Sequence, residues 1–238
     1  MEKFSLPIGG FIKQSLIDYP GHIASVVFLC GCNMRCFYCH NPQLVLPRLI
    51  KKQPLIEVDK IIAWIEKNVD LLDAVVITGG EPTLHSSLPL FLQYLKSLSL
   101  AIKLDTNGTN SRMLAYLIEN RLVDYVAMDI KAPLELDRYR MVCGNDFSDE
   151  YLQEVKKSMH LIQQGAIGYE FRTTLNHTIS LEDVLTIIDR IRGNYYLQLP
   201  NTNPQHVLEP GRMGQCRVDI QKMHAVAQIR NDVIVKVR

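Results

Sequence analysis

Short apolar runs alternate with longer amphipathic stretches along most of the chain. The apolar runs are rich in Val, Ile and Leu and show little polar–apolar alternation, which is typical of parallel strands covered on both faces. The runs that predict strands are Ala24–Cys30, Ala74–Thr78, Ile102–Asp105, Tyr125–Ile130, Tyr169–Thr174 and Tyr196–Leu199. A last run, Val233–Val237, predicts an additional strand.

The stretches between these runs carry apolar residues at helical spacing. The predicted helices are Val58–Asn68, Leu88–Leu98, Ser111–Arg121, Glu150–Gln164, Leu181–Ile191 and Ile220–Arg230. Alternating strands and helices favour a parallel sheet with right-handed crossovers. Six such units are fewer than the eight of a complete barrel. The fold class we expect is therefore α/β, as a partial (β/α)6 TIM-like barrel of parallel strands in a single domain.

The length, net charge and hydropathy of the chain indicate which classes of protein and partner are to be expected. The chain has 238 residues, of which 47% are hydrophobic, so it can bury a large core. The formal net charge is +1 and no cluster of Lys or Arg stands out, so we expect no nucleic-acid partner. We find no apolar stretch of the roughly 18 residues that a membrane span needs. Met1–Gly10 lacks the features of a signal peptide, so we expect a cytoplasmic protein without a membrane partner.

The cysteines are unevenly distributed. Cys30, Cys32, Cys36 and Cys39 fall within ten residues, whereas Cys143 and Cys216 are isolated. Disulfide frameworks spread their cysteines more widely and suit short secreted chains. A tight group in a chain of this kind points to metal or redox chemistry. Cys30 ends a predicted strand, so for this residue we favour a packed thiol over a ligand.

The spacing Cys32-x3-Cys36-x2-Cys39 places three thiolates around one centre. Thiolates select iron–sulfur clusters or zinc. A structural zinc site requires four ligands, commonly as two separated pairs, and no second pair follows; His40 is a strained candidate for the fourth ligand because it directly follows Cys39. A [4Fe–4S] cluster on three thiolates leaves one iron open to a substrate or cofactor. Both metal centres stay open at this point.

Unusual polar residues also follow or end the other predicted strands. Gly79-Gly80-Glu81-Pro82 follows the second strand and Asp105-Thr106-Asn107-Gly108 the third, Asp129-Ile130-Lys131 ends the fourth, and Arg172 lies in the fifth. Active sites of barrels are built at the carboxyl ends of their strands. The alternative for each motif is structural: tight turns at Gly79–Pro82 and Asp105–Gly108, and internal ion pairs for Asp129, Lys131 and Arg172.

The pattern Cys-x3-Cys-x-aromatic-Cys followed by Gly-Gly-Glu-Pro resembles the radical S-adenosylmethionine superfamily. The resemblance implies one radical S-adenosylmethionine domain over residues 1–238, with a core of about residues 20–200 and terminal extensions. It implies that Cys32, Cys36 and Cys39 ligate three irons of a [4Fe–4S] cluster. S-adenosylmethionine would chelate the fourth iron through its amino and carboxylate groups. One electron from the cluster would then cleave it to a 5′-deoxyadenosyl radical.

The same resemblance implies roles for further residues. The residues expected to bind the cofactor are Tyr38, Gly79, Gly80, Glu81, Asp105, Thr106, Asp129, Lys131 and Arg172. The Gly-Gly-Glu-Pro motif would meet the methionyl amino group. In relatives of pyruvate formate-lyase activase, residues matching Asp105 and Thr106 help to hold a monovalent cation near the methionyl carboxylate, and an Asp-x-Lys matching Asp129–Lys131 contacts S-adenosylmethionine.

Within the superfamily the chain resembles activating enzymes of glycyl-radical enzymes. Cys39-His40-Asn41-Pro42 and the opening strand and loop from Gly10 to Gly21 are similar to theirs. The chain is most similar to the compact activating proteins of anaerobic ribonucleoside-triphosphate reductase. Two features depart from these groups: Cys30 stands where the compact proteins often carry Gln, and Pro200–Pro204 lacks a His found near there in pyruvate formate-lyase activase.

The resemblance implies abstraction of a hydrogen from a glycine of a large partner, such as anaerobic ribonucleoside-triphosphate reductase. The cysteines outside the motif are too scattered to hold auxiliary clusters, so we expect an external electron donor such as a flavodoxin or ferredoxin. One alternative is a small-molecule radical enzyme resembling 7-carboxy-7-deazaguanine synthase. Another is a non-catalytic zinc or iron–sulfur binding module.

Overall fold

The computed structural model describes residues 5–200, 203, 207–214, 218 and 232–237. In these ranges the strands are Ile8–Ser15 (β1), Ala24–Leu29 (β2), Ala74–Gly79 (β3), Ala101–Thr106 (β4), Tyr125–Asp129 (β5), Gly168–Thr174 (β6), Gly193–Gln198 (β7) and Val233–Val237 (β8). The helices are Pro42–Val45 (α1), Pro47–Ile50 (α2), Val58–Lys67 (α3), Leu88–Ser97 (α4), Ser111–Glu119 (α5), Leu136–Cys143 (α6), Asp149–Gln164 (α7) and Leu181–Ile188 (α8).

The described strands form one sheet in the order β1-β2-β3-β4-β5-β6-β7-β8. β1 pairs with β2 in the antiparallel sense. Parallel pairs join β2 to β3, β3 to β4, β6 to β7 and β7 to β8. The order does not return from β8 to β1 among these strands, so the sheet is not closed. The predicted α/β class with a mostly parallel, incomplete barrel sheet is confirmed.

The six predicted parallel strands and the extra strand Val233–Val237 are present, with shifted ends. Three predictions were wrong in detail: β2 ends at Leu29, before Cys30, β5 ends at Asp129, before Ile130, and the strand predicted at Tyr196–Leu199 is Gly193–Gln198. β1 covers Ile8–Ser15 and so includes the first part of the Gly10–Gly21 segment, which resembles an opening strand and loop. α6 was not predicted, because its sequence LDRYRMVC is polar on average. The helix predicted at Ile220–Arg230 lies outside the described residues.

The described chain divides into two compact units, which are treated separately. The first comprises residues 1–33, 43–106 and 112–126, and the second comprises residues 34–42, 107–111 and 127–238. None of the described helices is long and apolar enough to cross a membrane.

The first unit is organised around parallel strands that are buried on both faces. Ala24 and Val26 pair in register with Ala74 and Val76, and these four residues pack with Tyr19 in one apolar cluster. α3 and α4 each bury an apolar stripe, which includes Ile61 and Ile65 in α3 and Phe91, Leu92 and Leu95 in α4. This packing explains why the strands could be predicted from continuous apolar runs.

The second unit contains β6 to β8 and α6 to α8. β6 and β7 run parallel, with Phe171 opposite Tyr195 and both side chains fully buried. The starts of α7 and α8 are fixed by side-chain caps: the Ser148 hydroxyl accepts from the Tyr151 amide, and Ser180 and Asp183 form a capping box. These caps define where α7 begins after α6 and where α8 begins after β6.

The ends of β2 and β3 approach each other so closely that only glycine fits. Gly79 has φ +118°, and a Cβ there would lie 2.3 Å from the carbonyl oxygen of Leu29. A Cβ on Gly80 would lie 2.0 Å from the carbonyl oxygen of Gly31. The Gly80 amide donates to the Leu29 carbonyl (2.8 Å), and the Glu81 amide donates to the Gly31 carbonyl (2.7 Å). The two glycines thus let one backbone segment pack directly on another.

Gly80→Ala should therefore lower the free energy of unfolding by about 3 kcal/mol, because the new methyl group meets a backbone atom that cannot rotate away. Urea unfolding followed by circular dichroism measures this change. Gly10→Ala is the matched control, since its Cβ would lie 3.4 Å from the Phe28 side chain, an ordinary contact. Equal stability of the two variants would show that the strand ends can separate without cost.

Candidate active site

The predicted site residues divide between the two units. Cys32, Gly79, Gly80, Glu81, Asp105 and Thr106 belong to the first unit, and Cys36, Tyr38, Cys39, Asp129, Lys131 and Arg172 belong to the second. In each unit they lie at strand ends or in the segments that follow, with Arg172 inside β6. This placement agrees with the expectation that the unusual polar residues collect at the carboxyl ends of strands.

The segment before Cys32 is held by its main chain. The Gly31 amide donates to the Leu44 carbonyl (2.7 Å), while the Gly31 carbonyl accepts from the Glu81 amide. Cys30 is buried, and its sulfur lies 3.4 Å from the Gln53 side-chain amide nitrogen. Burial raises the pKa of the Cys30 thiol, and the Gln53 contact only partly opposes this shift. These contacts support the interpretation of Cys30 as a packed thiol, whereas Cys32 is only half-buried.

Glu81 is a fully buried carboxylate whose Oε1 atom is already used inside the protein. This oxygen accepts from the Thr83 amide (3.1 Å), the Thr83 hydroxyl (2.6 Å) and the Thr106 hydroxyl (2.8 Å). The structure therefore brings the Gly-Gly-Glu-Pro motif and the end of β4 together through Glu81 and Thr106. Thr83 is a member of this group that the sequence did not single out.

Asp105 lies beside a buried lysine. Lys103 Nζ donates to Asp105 Oδ1 at 2.6 Å, and the Thr78 hydroxyl donates to Oδ2 at 3.2 Å. The Lys103 side chain is only 4% exposed, so this is a nearly dry ion pair. Sequence reasoning missed Lys103 as a site residue, although its position two residues before Asp105 on the same strand places both on one face.

The second half of the cysteine segment is anchored on the end of α6. The Arg35 amide donates to the Cys143 carbonyl (2.7 Å), and the Phe37 amide donates to the Val142 carbonyl (3.2 Å). Cys36 is buried, and its sulfur lies 3.7 Å from that of Cys143. The neighbouring Cys143 thiol, with a smaller contribution from Lys131, holds the pKa of Cys36 below its usual value against the effect of burial.

Cys39 differs from Cys36 in its electrostatic surroundings. Burial is the main influence on its thiol and raises the pKa, with partial opposition from the Asn41 backbone, Lys131 and Arg35. The carbonyls of Phe37 and Cys39 accept hydrogen bonds from the amides of Glu209 and Leu208. The segment from Phe37 to Cys39 is thus fixed by two parts of the second unit that are distant in sequence.

Asp129, Lys131 and Arg172 come together as an ion-paired group. Lys131 Nζ donates to Asp129 Oδ2 (2.8 Å), and Arg172 Nε donates to Asp129 Oδ1 (2.8 Å). Burial would raise the pKa of Asp129, but the charges of Arg172 and Lys131 hold it well below its usual range. The internal ion pair considered from the sequence is therefore present, and Asp129 is a carboxylate partner of both Lys131 and Arg172.

Tyr38 provides a test of whether these residues suit a bound group. Its hydroxyl is buried, and within the described residues it has no hydrogen-bond partner. Lys131 Nζ lies 5.9 Å from the centroid of its ring. Buried polar atoms are nearly always satisfied, so this hydroxyl fits a site in which a ligand supplies the missing partner.

The cysteine thiols are donors of the chemical type that iron–sulfur centres use. The described cysteines, including Cys32, Cys36 and Cys39, are all thiols and none forms a disulfide. In the described part of the chain no three His, Cys, Asp or Glu side chains are grouped to hold a single metal ion. Cys216 and most of Pro200–Pro204, including Asn201, Thr202 and Pro204, lie outside the described residues.

Comparison with known proteins identifies the family. The Radical SAM superfamily matches residues 26–195. A protein of Methanocaldococcus jannaschii with the name "Putative glycyl-radical enzyme activating enzyme" is 36% identical over 170 residues, which are 70% of this chain and 67% of the relative. The 7-carboxy-7-deazaguanine synthase of Aquifex aeolicus is 37% identical over 82 residues, which are 33% of each protein. This chain therefore spans about two thirds of one relative and one third of the other.

A solved structure supports the fold alone. Streptococcus suis SuiB bound to S-adenosylmethionine matches 87% of this chain and 48% of its own length, with a TM-score of 0.66 at 12% identity. Members of the superfamily use a [4Fe–4S] cluster and S-adenosylmethionine, which agrees with the thiol donors and the unsatisfied buried hydroxyl. The chain belongs to the Radical SAM superfamily.

Proposed function

We propose that this radical S-adenosylmethionine enzyme installs a glycyl radical on a partner enzyme, such as anaerobic ribonucleoside-triphosphate reductase. The observation that carries the proposal is the 36% identity to a relative named as a glycyl-radical enzyme activating enzyme. The motif after Cys39 and the opening segment from Gly10 to Gly21 support it independently. Cytoplasmic location and an external flavodoxin or ferredoxin as electron donor stay predictions.

In this proposal Cys32, Cys36 and Cys39 hold the cluster. When bound, the cluster supplies the electron that cleaves S-adenosylmethionine. The chain's own residues bind and orient that cofactor: Gly79 and Gly80 shape the backbone next to Glu81, and Tyr38 offers its buried hydroxyl. The ion-paired group at Asp129 presents fixed charges at the end of β5, which suits an amino acid moiety that carries both signs of charge.

Anaerobically reconstituted protein should release 5′-deoxyadenosine from S-adenosylmethionine in the presence of dithionite. The triple variant with Cys32, Cys36 and Cys39 changed to Ala should lose the iron, the sulfide and this product, because no thiolates remain to hold a cluster. Cys30→Ala is the matched control and should keep most activity, since its thiol is packed against Gln53. Chromatographic assay of 5′-deoxyadenosine with iron and sulfide analysis measures each outcome.

The proposed protein substrate is tested by incubating the enzyme with a candidate glycyl-radical enzyme. Incubation with anaerobic ribonucleoside-triphosphate reductase and S-adenosylmethionine should produce the EPR doublet of a glycyl radical. Cleavage without that doublet on any candidate glycyl-radical enzyme would refute the activating role. A magnesium requirement for turnover would then favour the second candidate, a small-molecule enzyme resembling 7-carboxy-7-deazaguanine synthase. The 37% identity over 82 residues to that enzyme from Aquifex aeolicus supports this candidate. A content of one zinc ion per chain without acid-labile sulfide would favour the remaining alternative, a non-catalytic zinc-binding module.

Asp129→Asn tests the ion-paired group through stability. The change should lower the free energy of unfolding at pH 7 by about 3 kcal/mol, because Lys131 and Arg172 lose their buried counter-charge. The folded-state pKa of Asp129 is depressed, so its contribution is present above the unfolded pKa of about 3.9 and is lost as pH falls towards the folded value.

The difference in free energy of unfolding between wild type and Asp129→Asn should therefore decrease below about pH 4. Urea unfolding at several pH values measures it. Glu57→Gln removes an exposed partner of Lys60 and should change stability by less than about 0.5 kcal/mol. A stability difference that increases as the pH falls would contradict the assignment of a depressed pKa to Asp129.

A monovalent cation beside Asp105 and Thr106 remains part of the proposal, and Lys103 is its competitor for the same carboxylate. Because Lys103 already neutralises Asp105, Lys103→Met should make S-adenosylmethionine binding more dependent on potassium than it is in wild type. Calorimetric titration in potassium chloride and in tetramethylammonium chloride at equal ionic strength compares the two proteins. Equal potassium dependence in both would show that Lys103 does not take the place of a cation.

A further inference from the structure

Cys143 lies against Cys36 although 107 residues separate them in the chain. Cys143 is the last residue of α6 and is 2% exposed, while Cys36 is 7% exposed. Their sulfur atoms are 3.7 Å apart, within the range of an S–H···S hydrogen bond. Neither the superfamily's cysteine motif nor the proposed mechanism accounts for this second thiol.

Main-chain hydrogen bonds on both sides of Cys36 fix this arrangement. The amides of Arg35 and Phe37, which flank Cys36, donate to the carbonyls of Cys143 and Val142. These main-chain contacts place the two cysteine residues next to each other in the second unit, and their sulfur atoms are in contact.

The direction of this hydrogen bond follows from the chemistry of an iron ligand. A cysteine that binds iron is a thiolate and has no proton to give. Cys143 is then the one member of the pair that can donate. Hydrogen bonds to cluster sulfurs are among the influences that set the reduction potential of an iron–sulfur cluster, because they stabilise the more negatively charged, reduced state.

We propose that Cys143 is a positioning residue that donates an S–H···S hydrogen bond to the Cys36 thiolate and thereby raises the reduction potential of the cluster. The inference rests on the proposed function, since it takes Cys36 as a cluster ligand. It assigns a role in electron uptake to a thiol outside the cysteine motif. Lys131 and Asp129, whose charges also act on Cys36, stay unchanged in the comparison between variants.

The test compares Cys143→Ala, Cys143→Ser and Val142→Ala in the anaerobically reconstituted full chain. Ala removes the donor, and Ser keeps a hydroxyl donor. Val142→Ala, at a position that is 1% exposed, removes more volume from the same helix end without removing a donor. EPR-monitored redox titration gives the midpoint potential of each protein, iron and sulfide analysis gives cluster content, and circular dichroism verifies folding.

The expected result is a full cluster in every variant, with a midpoint potential that is more negative than wild type in Cys143→Ala alone. At the wild-type midpoint, less than half of the Cys143→Ala clusters should be reduced, and Cys143→Ser should restore the reduced fraction towards one half. The proposal is overturned if Cys143→Ala keeps the wild-type midpoint, or if Val142→Ala shifts it equally, which would indicate packing.

A further outcome separates a donor from a ligand. Loss of iron from both Cys143→Ala and Cys143→Ser would make Cys143 a ligand and would overturn the donor role. Cys36→Ala distinguishes this failure from failure of the proposed function. If Cys36→Ala keeps the full iron and sulfide content, the assignment of Cys36 as a ligand is wrong, whatever the Cys143 variants show.

Discussion

Main-chain hydrogen bonds hold the cysteine segment, and the arrangement of its side chains depends on them. In the first unit Gly31 is fixed from both its amide and its carbonyl, by Leu44 and Glu81. In the second unit the amides on either side of Cys36 are fixed by the end of α6. A thiol that gave up its own hydrogen-bonding capacity to position the loop would be a poorer ligand. These main-chain contacts position the segment without requiring its thiols as hydrogen-bond partners.

The acidic side chains of the candidate site, in contrast, are held by hydrogen bonds and ion pairs to other groups of the protein. Glu81, Asp105 and Asp129 each accept hydrogen bonds from protein groups, and two of them are paired with lysine or arginine. A buried carboxylate without such partners would take up a proton. For Asp129, the charges of Arg172 and Lys131 hold the pKa well below its usual range and keep the carboxylate charged at the end of β5. Fixed partners of this kind reduce the reorganisation that a site must undergo when it binds.

The sequence predicted the elements of the sheet well because each parallel strand is an apolar run buried on both faces, as in Ala74–Gly79. It singled out candidate site residues by type and spacing but not the partners that the structure gives them. Lys103 could have been found from its position two residues before Asp105 on one strand. Cys143 could not, since no local pattern reports a contact across 107 residues. α6 was missed for a different reason, namely that its sequence is polar on average, although its last residues accept hydrogen bonds from the distant cysteine segment.

The contact between Cys143 and Cys36 affects the interpretation of cysteines that lie outside the motif. Cys30 and Cys143 both lie outside the motif, and the contact between the Cys30 sulfur and the Gln53 amide supports a packed thiol at Cys30. Cys143 is as buried as Cys30, yet it points at another sulfur. Burial alone therefore does not separate the two roles; the chemical nature of the neighbour does. The Cys30 thiol has a neutral amide as its neighbour, whereas the Cys143 thiol lies beside the sulfur of a proposed cluster ligand.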